Sequence, residues 1–182
     1  MQLPKEADWR ESWALCRPHV HHFRTALDVG ARRGEFARYL HEFDSVHSFD
    51  FRSCQTGYHE RCAGAQYHYH QVGISNHVGT EQTTSMKVGR IKGRGGIQVP
   101  VRTIDSYQFS DVDFVKLDVE GHELQCVQGA EQTIRVQHPL LIVEQNRGNT
   151  DACDLLIEWG YQEVAQFSID GQTHDRVMLW PI

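Results

Sequence analysis

Apolar and polar positions divide the chain into short strand-like runs separated by turns and amphipathic stretches. Thr25-Ala26-Leu27-Asp28-Val29 is an apolar run of strand length, followed at once by Gly30 and Gly34. A short continuous run bounded by turn residues reads as a buried parallel strand. Residues 46–49 ahead of Asp50 and residues 66–72 predict a second and a third strand. In the stretch from Phe114 to Glu123, Val115, Leu117 and Val119 alternate with Lys116, Asp118 and Glu120. Strand side chains alternate faces, so these three ionisable groups are expected on one side of a central strand. Gly121 permits a tight turn, and a helix is expected from about His122 to residue 136. Residues 140–144 predict a further strand. Additional helices are expected over 7–22, from the first strand to about residue 43, and over 151–159. The stretches 161–167 and 176–180 read as an antiparallel hairpin around Asp170-Gly171, a favoured turn pair. Residues 54–64 leave room for only a short connection.

Strands alternating with helical patterns predict an α/β fold, with a mostly parallel, Rossmann-like central sheet flanked by helices and a C-terminal antiparallel hairpin. At 182 residues the chain is long enough for a real core. One domain is expected over 1–182, with an N-terminal helical extension over 1–24 and a basic hairpin insertion over 80–102. In that insertion, residues 80–84 and 98–102 read as short strands. Lys87, Arg90, Lys92 and Arg94 lie between them, among four glycines and no acid. Such a segment fits a mobile hairpin loop, or a lid that attracts an anionic substrate.

Composition narrows the function classes. The formal charge is −6, which disfavours a general nucleic-acid or polyanion binder. Mean hydropathy is −0.52, and no apolar run is long enough to span a bilayer. The N-terminal residues are charged and lack a signal-peptide core. Five cysteines, an odd number without C-x-x-C spacing, suggest free thiols in a reducing, cytoplasmic compartment and argue against zinc. His19, His21 and His22, like His68 and His70, read as surface or strand residues.

Three strand ends carry candidate chemistry, where open α/β sheets bind ligands. Gly30 and Gly34 allow close backbone approach, and exposed amides at a following helix start favour an anionic group. Asp28 ahead of the loop would accept from an ammonium group and repel a pyrophosphate. That combination suits the amino-acid end of S-adenosylmethionine, and the spacing is not the G-x-G-x-x-G of a dinucleotide site. Asp50 stands where a ribose-binding carboxylate is expected, and Phe51 beside it would pack on the base. Asp118 and Glu120 follow the central strand, either as site residues or as a salt-bridged strand end.

With these residues in view, the chain resembles an FkbM-type methyltransferase, a branch of the class I S-adenosylmethionine-dependent methyltransferases. The resemblance rests on the Asp28-Val29-Gly30-Ala31 loop with Gly34, on Asp50, on Val72-Gly73-Ile74-Ser75-Asn76, on Arg102-Thr103-Ile104-Asp105-Ser106-Tyr107, and on the block from Lys116 to Glu123. It extends over roughly residues 25–147. The family commonly has Asn where this chain has Arg32, and Glu-Pro where it has Asp50-Phe51. The resemblance implies a Rossmann-like class I methyltransferase fold with S-adenosylmethionine as cofactor. It implies cofactor contacts from Asp28, Gly30, Ala31, Arg32, Gly34, Asp50, Phe51, Gly73, Ile74 and Asp118. Arg32 would pair with the methionine carboxylate. Catalysis is expected from Asp118, Glu120, His122 and Lys116, with Asp118 and Glu120 ahead of His122 as base and Lys116 as their buried partner. Glu144 and Asn146 share a strand face and would line the acceptor side. The implied activity is O-methylation of a sugar, glycan or other small hydroxyl compound, and the basic insertion suits an acceptor that carries negative charge. Two alternatives stand beside it: a magnesium-assisted transferase using Asp118, Glu120 and Glu144, and a non-catalytic cofactor-binding module.

Overall fold

A computed structural model describes residues 9–32, 34–53, 66–83, 96–145, 149–167 and 174–181. Helix α1 (Trp9–Cys16) precedes strands β1 (Thr25–Val29), β2 (Ser45–Phe49) and β3 (Gln66–His70). Short strands β4 (Gly73–Ile74), β5 (Gly79–Thr83) and β6 (Ile97–Arg102) follow, then β7 (Val112–Leu117). Helices α2 (Glu123–Gln128) and α3 (Glu131–Gln137), strand β8 (Leu140–Gln145), helix α4 (Asp151–Glu158) and strands β9 (Gln162–Phe167) and β10 (His174–Leu179) complete the order.

Seven strands form one sheet in the order β3-β2-β1-β7-β8-β10-β9. The first five run parallel, and β10 is antiparallel to both β8 and β9. Chain order reverses between β1 and β7, so the carboxyl ends of these two strands flank the place where such sheets open a crevice. A second, three-stranded sheet in the order β4-β6-β5 stands apart from the first.

The alternation of β1, β7 and β8 divides the core. Leu27, Val29, Val115, Leu117, Leu141 and Val143 pack on one face, with Cys126, Ile134 and Leu156 of the helices. Ala26, Phe114, Leu140 and Ile142 pack on the other, with Trp13 of α1, Phe36 and Phe43. Asp28, Lys116 and Glu144 continue that second face, two residues beyond Ala26, Phe114 and Ile142 respectively. The polar floor described below is therefore written into strand parity.

The predicted α/β class, the parallel sheet and the C-terminal antiparallel pair are all present. Several boundaries differ. The helix expected after β1 is replaced by turns and a 3-10 turn at Ala37–Tyr39. Gly30, Arg32 and Gly34 all have positive φ, at 82°, 50° and 73°, which keeps the loop itself out of any α-helix. The N-terminal helix stops at Cys16 and passes into a 3-10 turn holding Pro18, which has no amide to continue the ladder. The third strand ends at His70 rather than residue 72, and Gly73–Ile74 joins the second sheet. The helix expected from His122 to residue 136 is two helices, broken at Gly129-Ala130. A Cβ on Gly129 would lie 2.0 Å from the Ser75 carbonyl oxygen, so this corner closes backbone to backbone. Strand β7 ends at Leu117, and Glu120 has φ 58°, so Glu120 leaves the alternation expected for it.

The hairpin flanking the basic segment is present as antiparallel β5 and β6. Lys87, Arg90, Lys92 and Arg94 lie outside the described residues, as do Cys54, Cys62, Asn146 and the Asp170-Gly171 turn. Cys16, Cys126 and Cys153 are buried free thiols. His47, His68 and His70 stack across β2 and β3, with ring centres 4.6 and 5.2 Å from that of His47. Burial, reinforced by the two neighbouring imidazoles, pushes His47 down to about 4.

Candidate active site

A cleft of about 740 Å³ opens at the carboxyl ends of β1, β2 and β7 and is closed on one side by β5 and β6. Its volume falls within the range of small-molecule and cofactor sites. Every candidate cofactor residue except Asp28 and Gly34 lines it, and so do Lys116, Glu120 and His122.

Two features of the glycine loop depart from expectation. A Cβ on Gly30 would lie 1.7 Å from the Asp118 carbonyl oxygen, so this glycine serves the contact between the β1 and β7 ends. The loop amides are also occupied. Gly30 and Ala31 donate to the Phe49 carbonyl at 2.9 and 3.1 Å, and Arg32 donates to Asp50 Oδ2 at 2.8 Å. These N–H groups tie the loop to the end of β2 and do not form an open cradle for an anion.

Asp50 is buried at the end of β2. Arg52 meets it in a two-pronged pair, Nε to Oδ1 and Nη2 to Oδ2, both 2.8 Å, and its own backbone amide donates to Oδ1 at 2.8 Å. The Arg52 guanidinium also lies 5.2 Å from the Phe51 ring centre. A ribose that used Asp50 would have to share it with Arg52. Nothing in the local sequence announced Arg52, because its effect comes from the turn that folds it back.

The floor of the cleft is a buried charge cluster. Strand register sets Asp28 beside Lys116, and Glu144 beside Asp175. Lys116 Nζ lies 3.0 Å from Asp118 Oδ2 and 3.7 Å from Asp28 Oδ1, with the rings of Trp9 and Phe36 over it. Burial works against the ammonium charge, but the two carboxylates outweigh it and raise Lys116. Asp28 is wholly buried, and neither of its carboxylate oxygens has a hydrogen bond. Burial pushes Asp28 up to about 6 against the pull of Lys116. It sits behind Lys116 and away from the cleft surface, where an incoming ammonium group would not reach it directly.

Asp118 and Glu144 share a hydrogen bond. Burial and the adjacent Asp118 push Glu144 up to about 9, so Glu144 is protonated at neutral pH and donates. Burial opposes ionisation of Asp118, yet Lys116 and this bond hold it below the usual carboxylate range. Among the described residues, no group of three His, Cys, Asp or Glu side chains is placed to hold a metal ion. Lys116 instead pairs with Asp118, one of the three carboxylates that the magnesium arrangement requires.

At the opposite wall, His122 Nε2 lies 3.1 Å from Ser75 Oγ and 3.3 Å from Glu81 Oε2. Ser75 Oγ in turn donates to Glu81 Oε1. His122 comes from the start of α2, Ser75 from the turn after β4, and Glu81 from β5. Glu81, like Asp175, escapes a reading of local motifs, because each acquires its partners across a sheet.

Residues 28–167 match the methyltransferase FkbM domain. The chain belongs to that family. Solved structures share the fold. An FkbM methyltransferase from Methylobacillus flagellatus KT superposes with a TM-score of 0.60 at 19% identity, covering 85% of this chain and 43% of that one. The present chain thus spans less than half of that relative's length. Magnesium protoporphyrin IX methyltransferase from Synechocystis PCC 6803, solved with bound SAM, gives 0.55 at 11% identity, with 93% and 76% coverage. The N-methyltransferase NodS from Bradyrhizobium japonicum WM9, solved with S-adenosyl-L-homocysteine, gives 0.52 at 12% identity, with 95% and 87% coverage. No curated protein sequence matches the chain. Among the described residues, no helix is long and apolar enough to cross a membrane.

Proposed function

We propose that this FkbM-family chain is an S-adenosylmethionine-dependent O-methyltransferase acting in the cytoplasm on a sugar or other small hydroxyl compound. The observation that carries the reading is the cleft at the β1–β7 crossover, with buried Asp50 at one end and the Lys116–Asp118 floor at the other. The residues present fit the cofactor. Asp50 is an acceptor for ribose hydroxyls, Phe51 and Ile74 offer apolar surface for a base, and Arg32 supplies a cation for a carboxylate. When bound, the cofactor supplies a methyl group that is already activated as part of a sulfonium.

The protein's part is then orientation, exclusion of water and handling of one proton. Lys116 fixes Asp118 at the cleft floor, and protonated Glu144 donates to the same carboxylate. With its charge shared in this way, Asp118 is suited to positioning the reactants. A hydroxyl acceptor gains from a base near the reacting oxygen, and Glu120 and His122 line the cleft for that task.

Labelled S-adenosylmethionine incubated with the protein and a fractionated extract of the source cells should yield a labelled, alkali-stable ether. A chelator should leave this transfer intact. By calorimetry, Asp50→Asn should weaken cofactor binding by about 1–3 kcal/mol, the cost of an unmet buried polar group. Binding of NAD with no response to S-adenosylmethionine overturns the reading.

A further inference from the structure

The polar cluster on the β5 wall of the cleft carries an assignment that neither the family nor the fold makes. Ser75 Oγ has one proton, and that proton is directed at Glu81 Oε1. The other two contacts in the cluster, at 3.1 and 3.3 Å, both end on His122 Nε2. On the far side of those contacts stand a hydroxyl oxygen whose proton is already used and a carboxylate that has none. Only Nε2 can supply the hydrogen. The neutral ring is therefore the Nε2–H tautomer, and its basic lone pair is on Nδ1.

We propose that Glu81, with Ser75, positions His122 as the general base of the transfer, with Nδ1 taking the acceptor's proton. This rests on the methyl-transfer reading above and names the group that performs its proton step. The acceptor O–H proton moves to Nδ1 as the new O–CH3 bond forms and the methyl–sulfonium bond breaks, its electron pair remaining on sulfur. The ring then carries a positive charge facing the Glu81 carboxylate, in the manner of a histidine oriented by an acid. Glu81 is a positioning residue, since it acts through the imidazole. His77 Nδ1 lies 3.6 Å from Glu81 Oε1, beyond hydrogen-bond distance, so Ser75 and His122 are the groups that engage this carboxylate.

The geometry also explains why the base is here. Asp118 is engaged by Lys116 and Glu144, whereas His122 is about one-third exposed and lines the cleft. Two contacts lock the corner that carries it. Cys126 Sγ donates to the Ile74 carbonyl at 3.2 Å, and Gly129 packs directly on the Ser75 backbone.

Two measurements test the assignment. Imidazole nitrogen NMR on the protein alone, with the His122 signals identified by their loss in His122→Asn, should place the ring proton on Nε2. In Glu81→Gln the new amide can also donate, so the preference should relax toward a mixture. Kinetics on the acceptor identified by label transfer form the second arm. His122→Asn should lower kcat by about 10²–10⁴-fold, the usual worth of a general base. Glu81→Gln should lower kcat by about tenfold, with cofactor Kd within about twofold of wild type. Ser75→Ala should fall between wild type and Glu81→Gln. An Nδ1–H tautomer, or a Glu81→Gln enzyme with unaltered kcat and ring tautomer, overturns the assignment and leaves methyl transfer standing. Cofactor binding with an Nε2–H ring but no transfer to any hydroxyl compound overturns the function and the base together.

Discussion

Lys116 shows how much one side chain holds together at the floor of the cleft. It is a cation buried among Asp28, Asp118 and Asp175, and it is 3% exposed. Lys116→Met would leave Asp28 buried with no counter-charge, a change that costs about 3–5 kcal/mol when a buried pair is broken on one side. Urea unfolding at pH 8 should register that loss, and Asp28→Asn in the same background should recover a large part of it. An unfolding midpoint equal to wild type in the single variant would show that the pair has no structural weight. Gly30 is equally sensitive for a different reason. Gly30→Ala forces a side chain into a positive-φ position 1.7 Å from the Asp118 carbonyl oxygen. The expected outcome is a lower melting temperature with or without cofactor, so a loss of binding in this variant reports on folding. Asp118→Asn discriminates better. It keeps the shape, and it should lower both the melting temperature and kcat/KM. Loss of stability with intact turnover per folded molecule would remove Asp118 from the site.

Strands bring together groups whose titrations pull in opposite directions. On β8, Glu144 rises from an ordinary value of 4.5 to about 9. The folded state therefore holds a proton that the unfolded chain releases, and stability falls as pH rises between those values. On β2, His47 drops from 6.5 to about 4. There the unfolded chain takes up the proton first, and stability is lost as pH falls through that window. The two slopes oppose each other between about 4.5 and 6.5. Above that range Glu144 acts alone. Melting temperatures should thus show Glu144→Gln gaining on wild type at pH 8 and His47→Gln gaining at pH 5. Equal pH profiles for all three proteins would refute both assignments. These elements also show what the sequence revealed. The apolar runs of β1, β7 and β8 were legible because buried parallel strands are continuous in chain order, and Lys116 with Asp118 was legible from their parity. Glu81 and Asp175 were not, since each gains its role from a residue elsewhere in the chain, and Arg52 was not, since its role comes from the turn that folds it back on Asp50.

At the scale of the molecule, the cleft is bounded by two sheets, and only the larger carries the glycine loop, Asp50 and Asp118. A ligand bound there should stabilise the chain by mass action. At a hundredfold excess over Kd the gain is about 2.7 kcal/mol, visible as a raised melting temperature with S-adenosylmethionine and absent with NAD. The smaller sheet contributes Glu81, and the turn leaving it contributes Ser75, while His122 stands on the other side. The line between the sheets is thus a seam that a proton partner must cross. Gly129 sets the width of that seam at the corner, because it has no side chain to wedge against Ser75. Gly129→Ala, at a position that does not line the cleft, should widen the gap and slip the imidazole out of step with its carboxylate. Turnover would then drop while cofactor affinity held, making the tolerance of the whole machine the size of one methyl group.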